Sequence, residues 1–68
     1  MYEYMIEYSY YLNGKRVKEK DIFFGDNTQE AVDTCRAENN YYFSEGFGRI
    51  ERVLKECYNG WEERDNWE

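Results

Sequence analysis

The sequence predicts an α+β fold: an antiparallel sheet of three or four strands with one helix on one face, ordered ββαββ or ββαβ. Three stretches carry this reading. Residues 2–12, "YEYMIEYSYYL", alternate strictly and run straight into Asn13-Gly14. "GDNTQEAVDTCRAEN" has the punctuation of a helix, and a second Asn-Gly pair stands at Asn59-Gly60.

In the first stretch Tyr2, Tyr4, Ile6, Tyr8, Tyr10 and Leu12 share one face, and Glu3, Met5, Glu7, Ser9 and Tyr11 the other. Period-two alternation marks a strand. Asn-Gly suits the positive φ angles of a two-residue type I′ turn, so Lys15 to Phe24 returns as the second strand. That register sets Leu12 opposite Lys15, Tyr10 opposite Val17, Glu7 opposite Lys20 and Tyr4 opposite Phe23. It also places Glu19 and Asp21 on the tyrosine face. Either a bulge near Lys18 to Asp21 turns them away, or their carboxylates meet tyrosine hydroxyls at the sheet margin.

Asp26, Asn27 and Thr28 are all good helix caps. Glu30 follows Asn27 by three residues, as in a capping box. Ala31, Val32 and Cys35 form a narrow apolar stripe, as for one helix lying on one sheet face. Asn39-Asn40 ends the helix.

Residues 41–68 admit two readings. As a helix, Phe47, Ile50, Leu54, Cys57 and Trp61 recur at three-four spacing, with Asn59-Gly60 as a C-cap. As strands, Gly48 to Tyr58 is one, Asn59-Gly60 is a hairpin turn, and Trp61 to Trp67 returns. Gly46 and Gly48 weaken the helix at its start, and both tryptophans suit a sheet. These features predict strands.

The 68 residues make one small domain, a size at which a single core gives little stability. Fourteen aromatic residues and the lack of proline argue for a folded chain. One thin helix covers one face only, so tyrosine closes the core with large rings while its hydroxyls stay wet. The other face still carries aromatics, which invites a partner or a homodimer.

Catalysis finds no support. The chain has no histidine, the commonest general base, and no Ser/Cys–His pair is possible. Cys35 and Cys57 read as two reduced thiols filling core, with one bridge between them as the alternative. "SEGFG" lacks the lysine and context of a phosphate loop. The carboxylates lack calcium-loop spacing. No cofactor and no metal is expected. With no basic leader and no long apolar run, the expectation is a soluble, cytoplasmic protein.

Fifteen acids face nine bases, a net charge of −6. Such a chain is repelled by nucleic-acid phosphates and favours a partner with a basic surface. The acids cluster at Asp21, Asp26, Glu30 and Asp33, and at Glu62, Glu63, Asp65 and Glu68. Should helix and final hairpin share a side, they form one negative stripe able to occupy a groove built for a phosphate backbone. Candidate partner-binding residues are therefore Asp26, Glu30, Asp33, Glu62, Glu63 and Asp65, with the outward ring of Tyr11 at the hairpin tip. The basic tip, Lys15, Arg16, Lys18 and Lys20, reads as an edge guard against aggregation, although lysines beside tyrosines also suit single-strand binding.

In length, lack of catalytic motifs, "YEYMIEYSYY", "GDNTQEAVDTC" and "YNGWEERDNWE", the chain resembles the small acidic proteins of bacteriophages and mobile elements, anti-CRISPR proteins among them. The resemblance is one of composition and carries no functional residue across. It implies a non-enzymatic inhibitor that occupies the nucleic-acid groove of an effector, such as a CRISPR effector. The basic hairpin departs from a pure DNA mimic. The alternative is a small interaction module that homodimerises through its aromatic sheet.

Overall fold

The computed structural model describes residues 1–65. The chain runs β1 (Tyr2–Leu12), β2 (Lys15–Gly25), α1 (Thr28–Glu38), α2 (Asn40–Ser44), β3 (Gly48–Cys57) and β4 (Gly60–Glu63). The four strands make one antiparallel sheet in the order β2-β1-β3-β4. The fold is α+β, with ββαββ order and a short extra helical turn. Among the described residues no helix is long and apolar enough to cross a membrane.

The first hairpin follows the alternation. Asn13 and Gly14 take φ of 53° and 78°, as a type I′ turn requires. Pairing runs unbroken from Leu12↔Lys15 through Tyr10↔Val17, Glu7↔Lys20 and Tyr4↔Phe23 to Tyr2↔Gly25. No bulge turns Glu19 and Asp21 away, so they stand opposite Tyr8 and Ile6 on the tyrosine face. The bulge lies in β3 instead. Pairing there steps from Glu7↔Arg52 to Tyr8↔Ile50, leaving Glu51 as the extra residue.

Helix α1 is capped by Asn27, whose side chain accepts from the Glu30 N–H at 2.8 Å. Glu30 reaches back to the Asp26 N–H rather than to that of Asn27, so the box closes one residue early. Ala31, Val32 and Cys35 are fully buried and meet Tyr4, Ile6, Tyr8, Phe23 and Val53 in one core. Tyr10, Phe43 and Ile50 pack at its rim. The tyrosine strand thus serves the fold first.

Several expectations need correction. Asn39 ends α1 by donating to the Cys35 carbonyl, but Asn40 opens α2 rather than a loop. That five-residue turn has no side-chain cap and no apolar period, so nothing local announces it. The second hairpin is offset by one residue: β3 stops at Cys57, Tyr58-Asn59 is the turn, and Gly60 already pairs with Cys57. Of the described non-glycine residues only Asn13 has positive φ; Gly60, at 118°, takes that role here. β4 ends at Glu63, and the continuation to Trp67 lies outside the described residues. Cys57 does not fill core. It is half-buried near the outer edge, its thiol 3.7 Å from Glu62. Both thiols are free.

Candidate functional site

Strand alternation sorts the charges. The face bearing Tyr4, Ile6 and Tyr8 is covered by α1, which lies chiefly along β2. Carboxylates dominate this side. Glu19 and Asp21 come from β2, Asp26 from the loop, Glu30, Asp33 and Glu38 from α1, Glu45 from the turn after α2, and Glu62 from opposite Lys55 on β4. Lys15, Arg36, Lys55 and Arg64, the last paired with Glu62, are the cations there. Lys55 sits 3.8 Å from the centroid of the Tyr2 ring.

Glu19 and Asp21 join the helix acids because their strand edge runs beside α1. Their charges are felt in the core. Burial pushes the Tyr8 hydroxyl up, and the nearby Cys35 thiol, Glu19 and Asp21 push it further, against a lowering hydrogen bond from Asn39. Burial, followed by the Glu38 carboxylate, pushes the Cys35 thiol up to about 12. That thiol stays protonated at neutral pH and is no nucleophile.

The six acids read from the sequence fall into two groups. Asp26, Glu30 and Asp33 lie with α1 over β2. Asp26 also meets the N-terminal ammonium at 3.4 Å, and Asp33 accepts from Gln29 at 2.9 Å. Glu62, Glu63 and Asp65 lie at or just beyond β4, on the opposite sheet edge. Three strand spacings, about 14 Å, separate the groups, so they do not form one stripe. Glu63 also faces the other side, bonded to Arg52, while Glu62 meets Arg64 at 3.2 Å. Glu68 lies outside the described residues.

The opposite face is open. Ser9, fully buried, donates to Glu51 at 2.6 Å and accepts from Arg16 at 2.6 Å. Arg49 closes the chain on Glu51 at 2.8 Å. The Ser9 hydroxyl, then Arg49, hold the Glu51 carboxyl below the usual carboxylate range. Arg52 bridges Glu63 and Glu7. The bulge is what aims Glu51 into this network. Lys18 and Lys20 line a depression of ≈ 380 Å³ beside it, with Glu7 and Arg52.

At the hairpin tip Tyr11, Leu12, Tyr41 and Phe47 rim a second depression of ≈ 360 Å³. All four are more than two-fifths exposed. The Arg16 guanidinium lies 4.2 Å from the Tyr11 ring centroid, and Tyr10 stacks on Tyr42 beside it. Tyr11 therefore points outward, as expected. Nothing local in the sequence marks Tyr41 and Phe47 as its companions, because α2 and the turn after it are what bring them to the tip.

Among the described residues no three His, Cys, Asp or Glu side chains gather in a way that could hold a metal ion. No protein-family model, curated protein or solved structure matches the chain.

Proposed function

We propose that the protein is a non-enzymatic inhibitor that binds, through the acidic helix side, a basic nucleic-acid groove on an effector protein, of which a CRISPR effector is the leading instance. One observation carries the reading: the charges are sorted by face. Eight carboxylates against four cations occupy the helix side, whereas the remaining basic residues of the strands gather on the open face. Segregation of this kind gives a modest net charge a strong local field, which steers association with a basic surface. Glu19 and Asp21 widen the helix acids into a patch rather than a line.

The test is inhibition of DNA cleavage by a panel of purified CRISPR effectors, with binding followed as salt rises from about 0.1 to 0.5 M, where the Debye length shrinks severalfold. Binding to an inhibited effector is expected to weaken steeply. Paired reversal of Glu19 and Asp33 to lysine is expected to abolish it. Reversal of Glu62 and Asp65 on the far edge should cost less. Salt-insensitive binding, or a larger loss from the far-edge pair, overturns the assignment to the helix side.

A further inference from the structure

We infer that the open face of the sheet is a self-complementary interface whose partner is a second copy of this chain. Both helices lie on the other face, and the open one carries more than a neutral mixture of charge. It is divided across the strands between Met5 and Glu7. On the hairpin side Arg16, Lys18, Lys20, Arg49 and Arg52 outnumber Glu7 and Glu51. On the other side Glu3 and Glu56 face out, Glu63 reaches across the divide to Arg52, and among the described residues no cation stands in that half. The acidic half also holds the apolar surface: half-buried Ile22 and Met5 in one cross-strand row with buried Leu54, flanked by Phe24, 51% exposed, and Trp61, 42% exposed.

Equal and opposite halves fit a two-fold dimer, in which one patch meets itself. Facing sheets offer two directions for the axis. An axis along the strands, between β1 and β3, sets Glu3 over the partner's Glu56, a like-charge contact. An axis across the strands between Met5 and Glu7 lays each basic half on an acidic half. Arg49 then meets the partner's Glu56, and Lys18 meets the partner's Phe24 and Glu3. This arrangement satisfies both charge sets twice and covers the apolar row. Copies are steered to the face because the β2 edge is hostile to itself. Every antiparallel two-fold pairing centred on Glu19, Lys20 or Asp21 sets like charges opposite one another.

The experiment uses two charge-reversed variants. One is Lys18→Glu with Lys20→Glu, which turns the basic half acidic. The other is Glu3→Lys with Glu56→Lys, which turns the acidic half basic. All four are surface changes, and far-UV circular dichroism checks that each variant folds. Light scattering at about 100 µM, a concentration at which an interface of ordinary size holds, is expected to give a dimer for the wild type. Each variant alone should be a monomer. A one-to-one mixture should dimerise again, since two basic halves then meet two acidic ones. A monomeric wild type, a variant that still dimerises alone, or a mixture that stays monomeric overturns the proposal. The helix-side acids are untouched in both variants, so the outcome is independent of the inhibitor reading.

Discussion

The ring of Phe43 rests directly on Gly48. A Cβ added to that glycine would lie 2.8 Å from the Phe43 Cγ and 2.9 Å from both Cδ atoms. Gly48 pairs with Tyr10 at the end of the β1–β3 ladder, and Phe43 is the side chain by which α2 reaches the core rim. The missing side chain is therefore the seat of the helical turn. Gly48→Ala should push the ring outward and cost about 1–3 kcal/mol, as overpacking does. A lower melting temperature, with a changed near-ultraviolet tyrosine signal from the Tyr10–Tyr42 stack, is the expected result. An unchanged melt would show that Phe43 moves aside freely.

Tyr8 and Tyr11 are three residues apart on one strand and face opposite ways. Tyr8 is 6% exposed and Tyr11 48%. Truncating a buried aromatic costs about 3–5 kcal/mol, most of what a domain of this size has to spare. Tyr8→Ala is expected to be unfolded at 25 °C. Tyr11→Ala should melt close to the wild type, by the norm of roughly ±0.5 kcal/mol for surface changes. Circular dichroism melts of the two proteins decide the matter, and the reverse order would mean that the sheet faces the wrong way.

The two thiols should behave differently. Cys35 is fully buried with its pKa pushed up to about 12, while Cys57 is half-buried at the margin. A thiol reagent at neutral pH should modify Cys57 promptly and Cys35 only after unfolding. The same shift predicts an alkaline weakness. The folded pKa lies above the ordinary value of 9.0, so the fold favours the protonated thiol. This stabilisation is complete below pH 9 and is lost as pH rises toward 12. The raised Tyr8 hydroxyl acts in the same direction from its ordinary 10.0 upward. Melting temperature should fall between pH 9 and 11, less steeply in Cys35→Ala, which lacks the titrating group. An equal slope in both proteins would remove Cys35 from the account.

Most of the sheet was legible because its signals are local. The alternation of residues 2–12 sets the buried face, Asn13-Gly14 sets the register, and the register then places every residue of β2. The helix was legible from its cap and its three-residue stripe. What was lost needs contacts that only the folded chain makes. Glu51 reads as a surface acid until Ser9 and Arg16 arrive from other strands to hold it. Phe43 and Gly48 are five residues apart and look unrelated until the turn stacks one on the other. Asn59-Gly60 misled by one position because Asn-Gly also serves where glycine alone takes the positive φ, directly after a two-residue turn. The acids of the final hairpin could be counted but not located, since strand order, which separates β4 from β2, is not written in composition.

Strand order also leaves β2 as a long bare edge, and Asp21 is what blunts it. In a two-residue hairpin the pair flanking the turn, Leu12 and Lys15, is hydrogen-bonded, and such pairs then alternate. Asp21 therefore turns its backbone toward β1, and Ile22 turns its N–H outward. That N–H donates 2.8 Å to the Asp21 carboxylate. A free outward N–H invites a foreign strand, and here a charged cap occupies one at mid-edge. Asp21→Val should remove both cap and charge, and the protein is expected to form salt-insensitive aggregates that bind thioflavin T. Asp21→Asn keeps an acceptor oxygen for the Ile22 N–H and loses only the charge. If the cap is what protects the edge, Asn should stay soluble where Val does not. If the two aggregate alike, charge alone is the guard; if neither does, the edge is protected by its lysines.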